Sequence, residues 1–290
     1  MCRFVFYLGP VLTLENLVTR PAHSLVHQSF KSEERQEPLN GDGFGVGWFV
    51  PELSEDPAVF RAITPAWSNA CLADLCRVTR SSCVLAHVRA ASPGLPVTET
   101  NCHPFKAVGS GLAFMHNGHI TGFSKIRQQL VAGLSESSYA QIQGSTDSEH
   151  MFAIFRDVYE QSEARGAEAM GAALDATLAR IVELTRAAHG EVASNMNLVV
   201  TNGFEAAATR FGYGPGVVVP SLYLHRGRRY ECTPEGLCQM VDPEREGGAA
   251  VILSSEKLSD DGGWERVPEN HVVTVGADHS VTMRPCSAGA

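Results

Sequence analysis

Met1-Cys2-Arg3-Phe4-Val5-Phe6-Tyr7 opens the chain. From Arg3 to Leu8 the residues are almost all aromatic, β-branched or aliphatic, which predicts a β-strand. Immediately ahead of that strand stands a cysteine. Initiator methionine is usually removed when the next residue is small, and removal would leave Cys2 with a thiol and a free α-amine. The thiolate is a strong nucleophile. An α-amine titrates near ~7.7–8.0, so it can act as a general base at neutral pH. One residue would then carry both halves of an acyl-transfer centre. Taken alone, Cys2 is equally a small apolar residue packed at a strand start. Motifs further along the chain decide between the two.

The chain has 290 residues and is 44% hydrophobic, enough for a substantial core in one large or two small domains. A net charge of −9, with no basic block, argues against nucleic-acid or anionic-membrane partners. The N-terminus lacks a basic segment followed by a long apolar run, and no apolar stretch is long enough to span a bilayer. A cytoplasmic location is therefore expected. The eight cysteines, Cys2, Cys71, Cys76, Cys83, Cys102, Cys232, Cys238 and Cys286, are then expected to be mostly free thiols. Cys71, Cys76, Cys83 and His87 contain no Cys-x-x-Cys pair, so core packing accounts for them better than a metal. No metal and no cofactor is expected.

Strands come first, helices occupy the middle, and strands return. Beyond Arg3–Leu8, a short helix is expected from Leu14 to Leu17, ended by Pro21. Gly43–Val50 reads as a strand whose glycines allow close backbone approach. A turn at Ser54–Pro57, a return strand at Ala58–Ala62 and a helix over Asn69–Thr79 come next. Cys83–Arg89 is a buried strand, Pro93–Pro96 a loop, and Gly111–His116 a strand closed by Asn117-Gly118, a dipeptide suited to a hairpin turn. Ile120 should resume as a short strand before a helix over Ser124–Ala132. Thr146 to Glu149 has capping-box spacing. Met151, Ile154, Phe155 and Val158 then share one helical face. Past Gly166, Met170, Leu174, Leu178, Ile181 and Val182 mark a second helix. Strands are expected at Met196–Thr201, Ala206–Phe211, Ser221–Leu224, Ala249–Ser254, Val272–Val275 and Ser280–Met283. This order, without βαβ alternation, predicts stacked layers with largely antiparallel sheets in one domain.

Five places carry chemistry. Cys2 is the first. Leu39-Asn40-Gly41-Asp42-Gly43-Phe44-Gly45 is the second, a glycine-rich segment that leads into a strand and lacks the Lys-Ser/Thr ending of a phosphate loop. The third is His87-Val88-Arg89-Ala90-Ala91-Ser92, whose strand-end arginine can grip a carboxylate with two parallel hydrogen bonds. In the fourth, His116-Asn117-Gly118, a side-chain amide and a backbone N–H could form an oxyanion hole. The fifth is Ser145-Thr146-Asp147-Ser148-Glu149, a carboxylate near a helix start that could hold an ammonium. Each has a plainer explanation: a turn, a salt bridge, a residue complementing a helix dipole. Their order and spacing together are what is specific.

In that order, with Asn101-Cys102-His103-Pro104 between the third and fourth, the motifs resemble those of class II glutamine amidotransferases, which are N-terminal-nucleophile hydrolases. The resemblance covers at least residues 2–150. Leu253-Ser254-Ser255-Glu256 and Trp264-Glu265-Arg266-Val267-Pro268 look like the closing segments of single-domain members. It is nearest to the stand-alone branch, which includes a yeast glutathione-degrading amidotransferase subunit and an ergothioneine-pathway γ-glutamyl hydrolase. Arg20-Pro21-Ala22-His23-Ser24 and Thr64-Pro65-Ala66-Trp67 favour the glutathione type.

The resemblance implies a four-layer αββα sandwich in the α+β class, spanning residues 2–290 as one amidotransferase domain. It implies that Cys2 attacks a γ-glutamyl carbonyl to form a thioester, with Asn117 and Gly118 stabilising the oxyanion. Arg89 would bind the substrate α-carboxylate and Asp147 its α-ammonium. Ser92, Ser148 and His116 would join them in binding substrate, and Asp42, Gly43 and His103 would support the site. Many members follow the motif arginine with Trp-Ala-Thr-His; here Ala90-Ala91-Ser92-Pro93 stands there, leaving room for a larger γ-glutamyl substrate. Residues after 150 complete the sandwich, so no acceptor domain remains. The expected activity is hydrolysis of a γ-glutamyl amide, in glutamine or in a peptide or thiol such as glutathione. The alternatives are an ammonia-supplying subunit of a separate synthase and a non-catalytic regulatory subunit, and the partner classes are a peptidase or a synthase. Leaving-group contacts are expected from loops such as Pro21–Gln28 or Trp67–Asn69.

Overall fold

The structure is a computed structural model that describes residues 2–34, 39–92, 94–242 and 250–289. Met1, Pro93 and Ala249, on which sequence expectations also fall, lie outside the described residues. In chain order come β1 (Arg3–Thr13), α1 (Glu15–Val18), α2 (Leu25–Phe30), β2 (Phe44–Trp48), β3 (Ala58–Ala62), α3 (Ala70–Val78) and β4 (Arg80–Val88). Next are β5 (Phe105–Ala107), β6 (Leu112–His119), α4 (Phe123–Val131), α5 (Glu136–Tyr139), α6 (Asp147–Gln161) and α7 (Ala167–His189). The last part holds β7 (Ser194–Thr201), β8 (Ala206–Tyr213), β9 (Tyr223–Gly227), β10 (Arg229–Cys232) and β11 (Cys238–Val241). It closes with β12 (Ala250–Ser254), β13 (Glu265–Arg266), β14 (His271–Val275) and β15 (Val281–Pro285).

Two large antiparallel sheets result, ordered β13-β9-β12-β1-β4-β2-β3 and β15-β14-β8-β7-β6-β5, while β10 and β11 form a separate hairpin. The period of two in β1 explains why they stack. Phe4, Phe6 and Leu8 project into a cluster with Ala113 and Met115 of β6, Val199 of β7, and Val251 and Leu253 of β12. Val5 and Tyr7 point the other way, under Leu17, Leu25 and Leu72 from α1, α2 and α3. β6 repeats the pattern on the second sheet. Ala113 and Met115 face the first sheet, while Leu112 and Phe114 meet Ile126, Met151, Phe155, Leu174 and Leu178 of α4, α6 and α7. Helices, sheet, sheet, helices is the expected αββα sandwich. The α7 residues picked out by period, Met170, Leu174, Leu178, Ile181 and Val182, are all buried.

Two local expectations are overturned. Asn117-Gly118 does not turn the chain: both residues lie within β6, opposite Asn197 and Met196 of β7. The dipeptide's turn preference loses to a partner strand that offers a continuous ladder past it. Ile120 does not resume a strand, because its N–H donates to the Asp147 carboxylate (2.8 Å) and the chain turns into α4. Elements without a sequence signal are α2, α5, the short strands β5 and β13, and the β10–β11 hairpin, which a Cys232–Cys238 disulfide crosslinks. The other six cysteines are free.

One polar network fastens the first sheet at its β9 end. His225, fully buried on β9, lies 2.9 Å from Asp261, which also accepts from Ser259 Oγ, the Met240 N–H and Trp264 Nε1. Burial pushes the Asp261 carboxyl up, but the hydrogen bonds from His225, Ser259 and Met240 outweigh it and hold it down at about 2. A depressed carboxyl contributes stability that is full above its unfolded value near ~4 and is lost as pH falls through the folded value. Asp261→Asn is therefore expected to cost about 2 kcal/mol at pH 7. The difference from wild type should shrink between about pH 5 and pH 2. Urea unfolding across that range checks it, and a pH-independent difference would contradict it.

Candidate active site

Cys2 sits half-buried one residue ahead of β1, whose pairing with β4 (Arg3 opposite Val88) brings it beside the chain leaving β4. The Ala90 N–H donates to Cys2 Sγ at 3.4 Å. Burial pushes the thiol up, while the Ala90 amide and the charges of Arg89 and Arg3 pull it down; the net direction is up. The backbone around Cys2 is clamped. Buried Arg3 donates to the Cys2 carbonyl (2.9 Å) and pairs with buried Glu256, and Glu256 also accepts from Ser32 Oγ and the Glu33 N–H. Ser255 Oγ accepts from the Phe4 N–H, and the Ser255 N–H donates to the Phe4 carbonyl, both at 3.0 Å. Neither Arg3 nor Glu256 stands out in the sequence as a site residue. The signal is the Ser254-Ser255-Glu256 motif, whose meaning needs the fold.

The glycine-rich segment locks onto the same place. The Asp42 carboxylate accepts from the Ala91 N–H (2.8 Å), the Asp42 N–H donates to the Arg89 carbonyl (3.1 Å), and the Arg89 N–H donates to the Gly43 carbonyl (2.8 Å). Gly43 has φ +110°, and a Cβ there would sit 2.7 Å from both the Ala62 carbonyl and Cys102 Sγ. Arg89 is buried; its guanidinium has backbone carbonyls as partners, with Nη2 donating to Pro96 O at 3.2 Å. Ser92 is exposed, beyond these bonds. Trp67 lies over Gly41, where an added Cβ would come 3.0 Å from its ring, and Phe30 stands edge-on to it at 6.2 Å.

Three buried histidines tie the two sheets together. His87 of β4 shares a hydrogen bond of 3.1 Å with the His116 carbonyl of β6, and His103 packs on the His87 ring at 4.1 Å. Burial holds all three neutral: His87 is lowered to about 3, His116 to about 4, and His103 well below the usual imidazole range. A neutral His87 has one N–H, and a carbonyl can only accept, so that proton is on Nε2. His116 Nδ1 meets Ser148 Oγ at 2.8 Å, and Ser148 Oγ lies 3.2 Å from Asp147 Oδ1. His116, buried in β6, thus stands behind Ser148.

Next to His116, Asn117 is 1% exposed, and neither its Oδ1 nor its Nδ2 has a hydrogen-bond partner. An unpaired buried amide costs roughly 1–3 kcal/mol. Gly118 has φ +151°, and a Cβ there would lie 2.1 Å from the Asn195 carbonyl. Half-buried Asp147 opens α6. Thr146 caps that helix by accepting from the Glu149 N–H (3.2 Å), but the Glu149 carboxylate turns back to the Gln143 and Gly144 amides instead of closing a capping box. Hydrogen bonds and β4 therefore connect Cys2, Arg89, Asp42, His87, His116, Ser148 and Asp147, with Asn117 and Gly118 continuing β6. Among the described residues no group of three or more His, Cys, Asp or Glu could hold a metal ion.

The chain has relatives in sequence and in fold. The family model described as class II glutamine amidotransferases matches residues 14–211. The chain is 37% identical to the protein named "Probable glutamine amidotransferase DUG3" of Saccharomyces cerevisiae, over 95% of this chain and 82% of that one. It is 30% identical to the γ-glutamyl-hercynylcysteine sulfoxide hydrolase of Mycolicibacterium smegmatis, over 97% of this chain and 98% of that one. In structure it resembles a glutamine aminotransferase class-II domain protein from Silicibacter pomeroyi, with TM-score 0.65 and 23% identity over 98% and 99% of the two chains.

Two outcomes are expected. The imidazole resonances of His87, His103 and His116 should not shift between about pH 5 and pH 8 in a proton NMR titration, because all three stay neutral there. Gly118→Ala should lower the unfolding free energy by about 2–4 kcal/mol, since the new Cβ must displace β7 backbone. Denaturant unfolding measures it, and a change within about ±0.5 kcal/mol would contradict the close approach.

Proposed function

The chain belongs to the class II glutamine amidotransferases, and from that premise we propose that it hydrolyses γ-glutamyl amide bonds through Cys2 as nucleophile. The carrying observation is the buried Asn117 amide with both polar atoms unpaired, on the strand joined by His87 to the one beside Cys2. In this reading Met1 is removed and residues 2–290 act as one domain. The α-amine of Cys2, through a water, accepts the thiol proton as Sγ attacks the γ-carbonyl. The Asn117 Nδ2–H and the Gly118 N–H receive the oxyanion, an effect typically worth ~10²–10³ in rate per donor. When the tetrahedral adduct collapses, the C–N bond breaks and the proton passes to the leaving amine. Water then hydrolyses the thioester, giving glutamate and restoring the thiol.

Arg89 and Asp147 offer one cation and one anion to the zwitterionic end of the substrate. Ser148 and His116 hold Asp147 in place, and Asp42 and Gly43 fix the Arg89 turn, with His103 packed behind His87. We take the substrate to be a γ-glutamyl peptide or thiol such as glutathione, because Ala90 and Ala91 leave space where many relatives carry an aromatic residue. The name of the Mycolicibacterium smegmatis relative, a hydrolase of a γ-glutamyl compound, supports that direction. The proposed location is cytoplasmic: no helix among the described residues is long and apolar enough to cross a membrane, and six cysteines are free.

Glutamate release from glutamine and from glutathione, side by side, tests the reading. Wild type is expected to cleave glutathione faster, with no release by Cys2→Ala. Asn117→Ala should lower kcat about 10²–10³-fold. Activity should rise with pH through a single ionisation near ~8, that of the α-amine, because the buried imidazoles do not titrate in that range. Glutamine cleavage alone, stimulated by a synthase, would replace the hydrolase reading with an ammonia-supplying subunit. Release that survives Cys2→Ala would remove the nucleophile assignment.

A further inference from the structure

Away from Cys2, a cavity of about 220 Å³ opens between the β3–β5 edge and α5–α6. Its walls include Arg61, Lys106 and Arg156, with Glu149 as the one carboxylate among them. Phe105 and Phe152 supply apolar surface.

The bonding of these groups says what the cavity lacks. Arg61 donates Nε and Nη2 to the Pro104 carbonyl, and Lys106 Nζ to the Pro57 carbonyl, so both keep their charge without a carboxylate partner in those bonds. Arg156, 7% exposed, pairs with Glu160 through Nε and gives Nη1 to the Ser137 carbonyl. Glu149 spends one lone pair of each oxygen on the Gln143 and Gly144 amides. Three cations, Arg61, Lys106 and Arg156, are thus gathered at one cavity in a chain of net charge −9, with Glu149, Glu160 and Glu99 as the carboxylates acting on them. Ser138 lines the same cavity at 1% exposure, and its Oγ has no hydrogen-bond partner. A buried hydroxyl without a partner beside cationic side chains whose bonds go largely to carbonyls marks a place for an acceptor that carries negative charge.

We propose that this cavity binds a small oxyanion, a carboxylate or a phosphate, with its charged end at Arg156 and Ser138 and any short apolar body against Phe105 and Phe152. Cys2, Arg89 and Asn117 do not line this cavity, and the proposal does not rest on the γ-glutamyl chemistry. Calorimetric titration of the full chain with inorganic phosphate and, separately, with butyrate at constant ionic strength tests it. Saturable one-site binding of at least one probe is expected. Arg156→Gln should weaken it about tenfold and Ser138→Ala about threefold. Lys106→Gln, an exposed change, keeps the test valid if Arg156→Gln does not fold, and should also weaken binding. Arg77→Gln, on α3, should leave binding unchanged. Binding of phosphate alone would assign the site to compact oxyanions, and binding of butyrate to carboxylates with an apolar body. Absence of saturable binding by both, or binding that Ser138→Ala and Lys106→Gln leave unmoved, overturns the proposal.

Discussion

The hydrogen bond from His87 Nε2–H to the His116 carbonyl is the constraint on which the geometry of the site depends. The two sheets pack through apolar side chains such as Phe4, Phe6, Met115 and Leu253, and apolar contact is not directional. It brings the sheets together without fixing how far one slides over the other. The His87 bond supplies a direction at one point. On its own sheet, His87 lies opposite Phe4 and two residues before Arg89; on the other, His116 precedes Asn117. Cys2, Arg89 and the buried Asn117 amide are thereby referred to one bond. Burial keeps His87 neutral, and its single N–H is the one given to that carbonyl.

The same low-dielectric interior decides the acid–base character of the centre. Burial raises the Cys2 thiol and lowers the neighbouring imidazoles, so neither a preformed thiolate nor a histidine base is at hand near neutral pH. In the proposed reading, chemistry at Cys2 would draw on a base from elsewhere, and the α-amine exposed by loss of Met1 would meet that need. The Arg3–Glu256 pair and the Ser255 bonds to Phe4 hold the backbone beside Cys2 in place.

Much of this was legible in the sequence because it depends on period and local chemistry. The alternation of β1 and the helical face of α7 specify which side chains enter which layer, and Thr146 announced the start of α6. The places of the motifs from Cys2 to Asp147 were also readable, since each sits at an element end or at a glycine that a close approach requires. What could not be read depends on distant partners. Asn117-Gly118 has the local chemistry of a turn, yet β7 supplies a ladder that keeps it extended. Arg3 and Glu256 are 253 positions apart, and only the pairing of β1 with β12 makes them neighbours. Glu149 matched a capping box by spacing, but two backbone amides of the preceding turn compete for its carboxylate. Ser92, placed by motif position beside the arginine, lies exposed.

The most direct measurement is intact-mass and peptide mapping of the purified chain after reaction with a glutamine-like electrophile. Met1 is expected to be absent and one adduct to form, on Cys2, although Cys71 is the more exposed thiol. Prior incubation with a γ-glutamyl compound should suppress that adduct. Retention of Met1 by a reactive protein, or an adduct on another cysteine with Cys2 untouched, would contradict the claim that Cys2 and its α-amine form the centre.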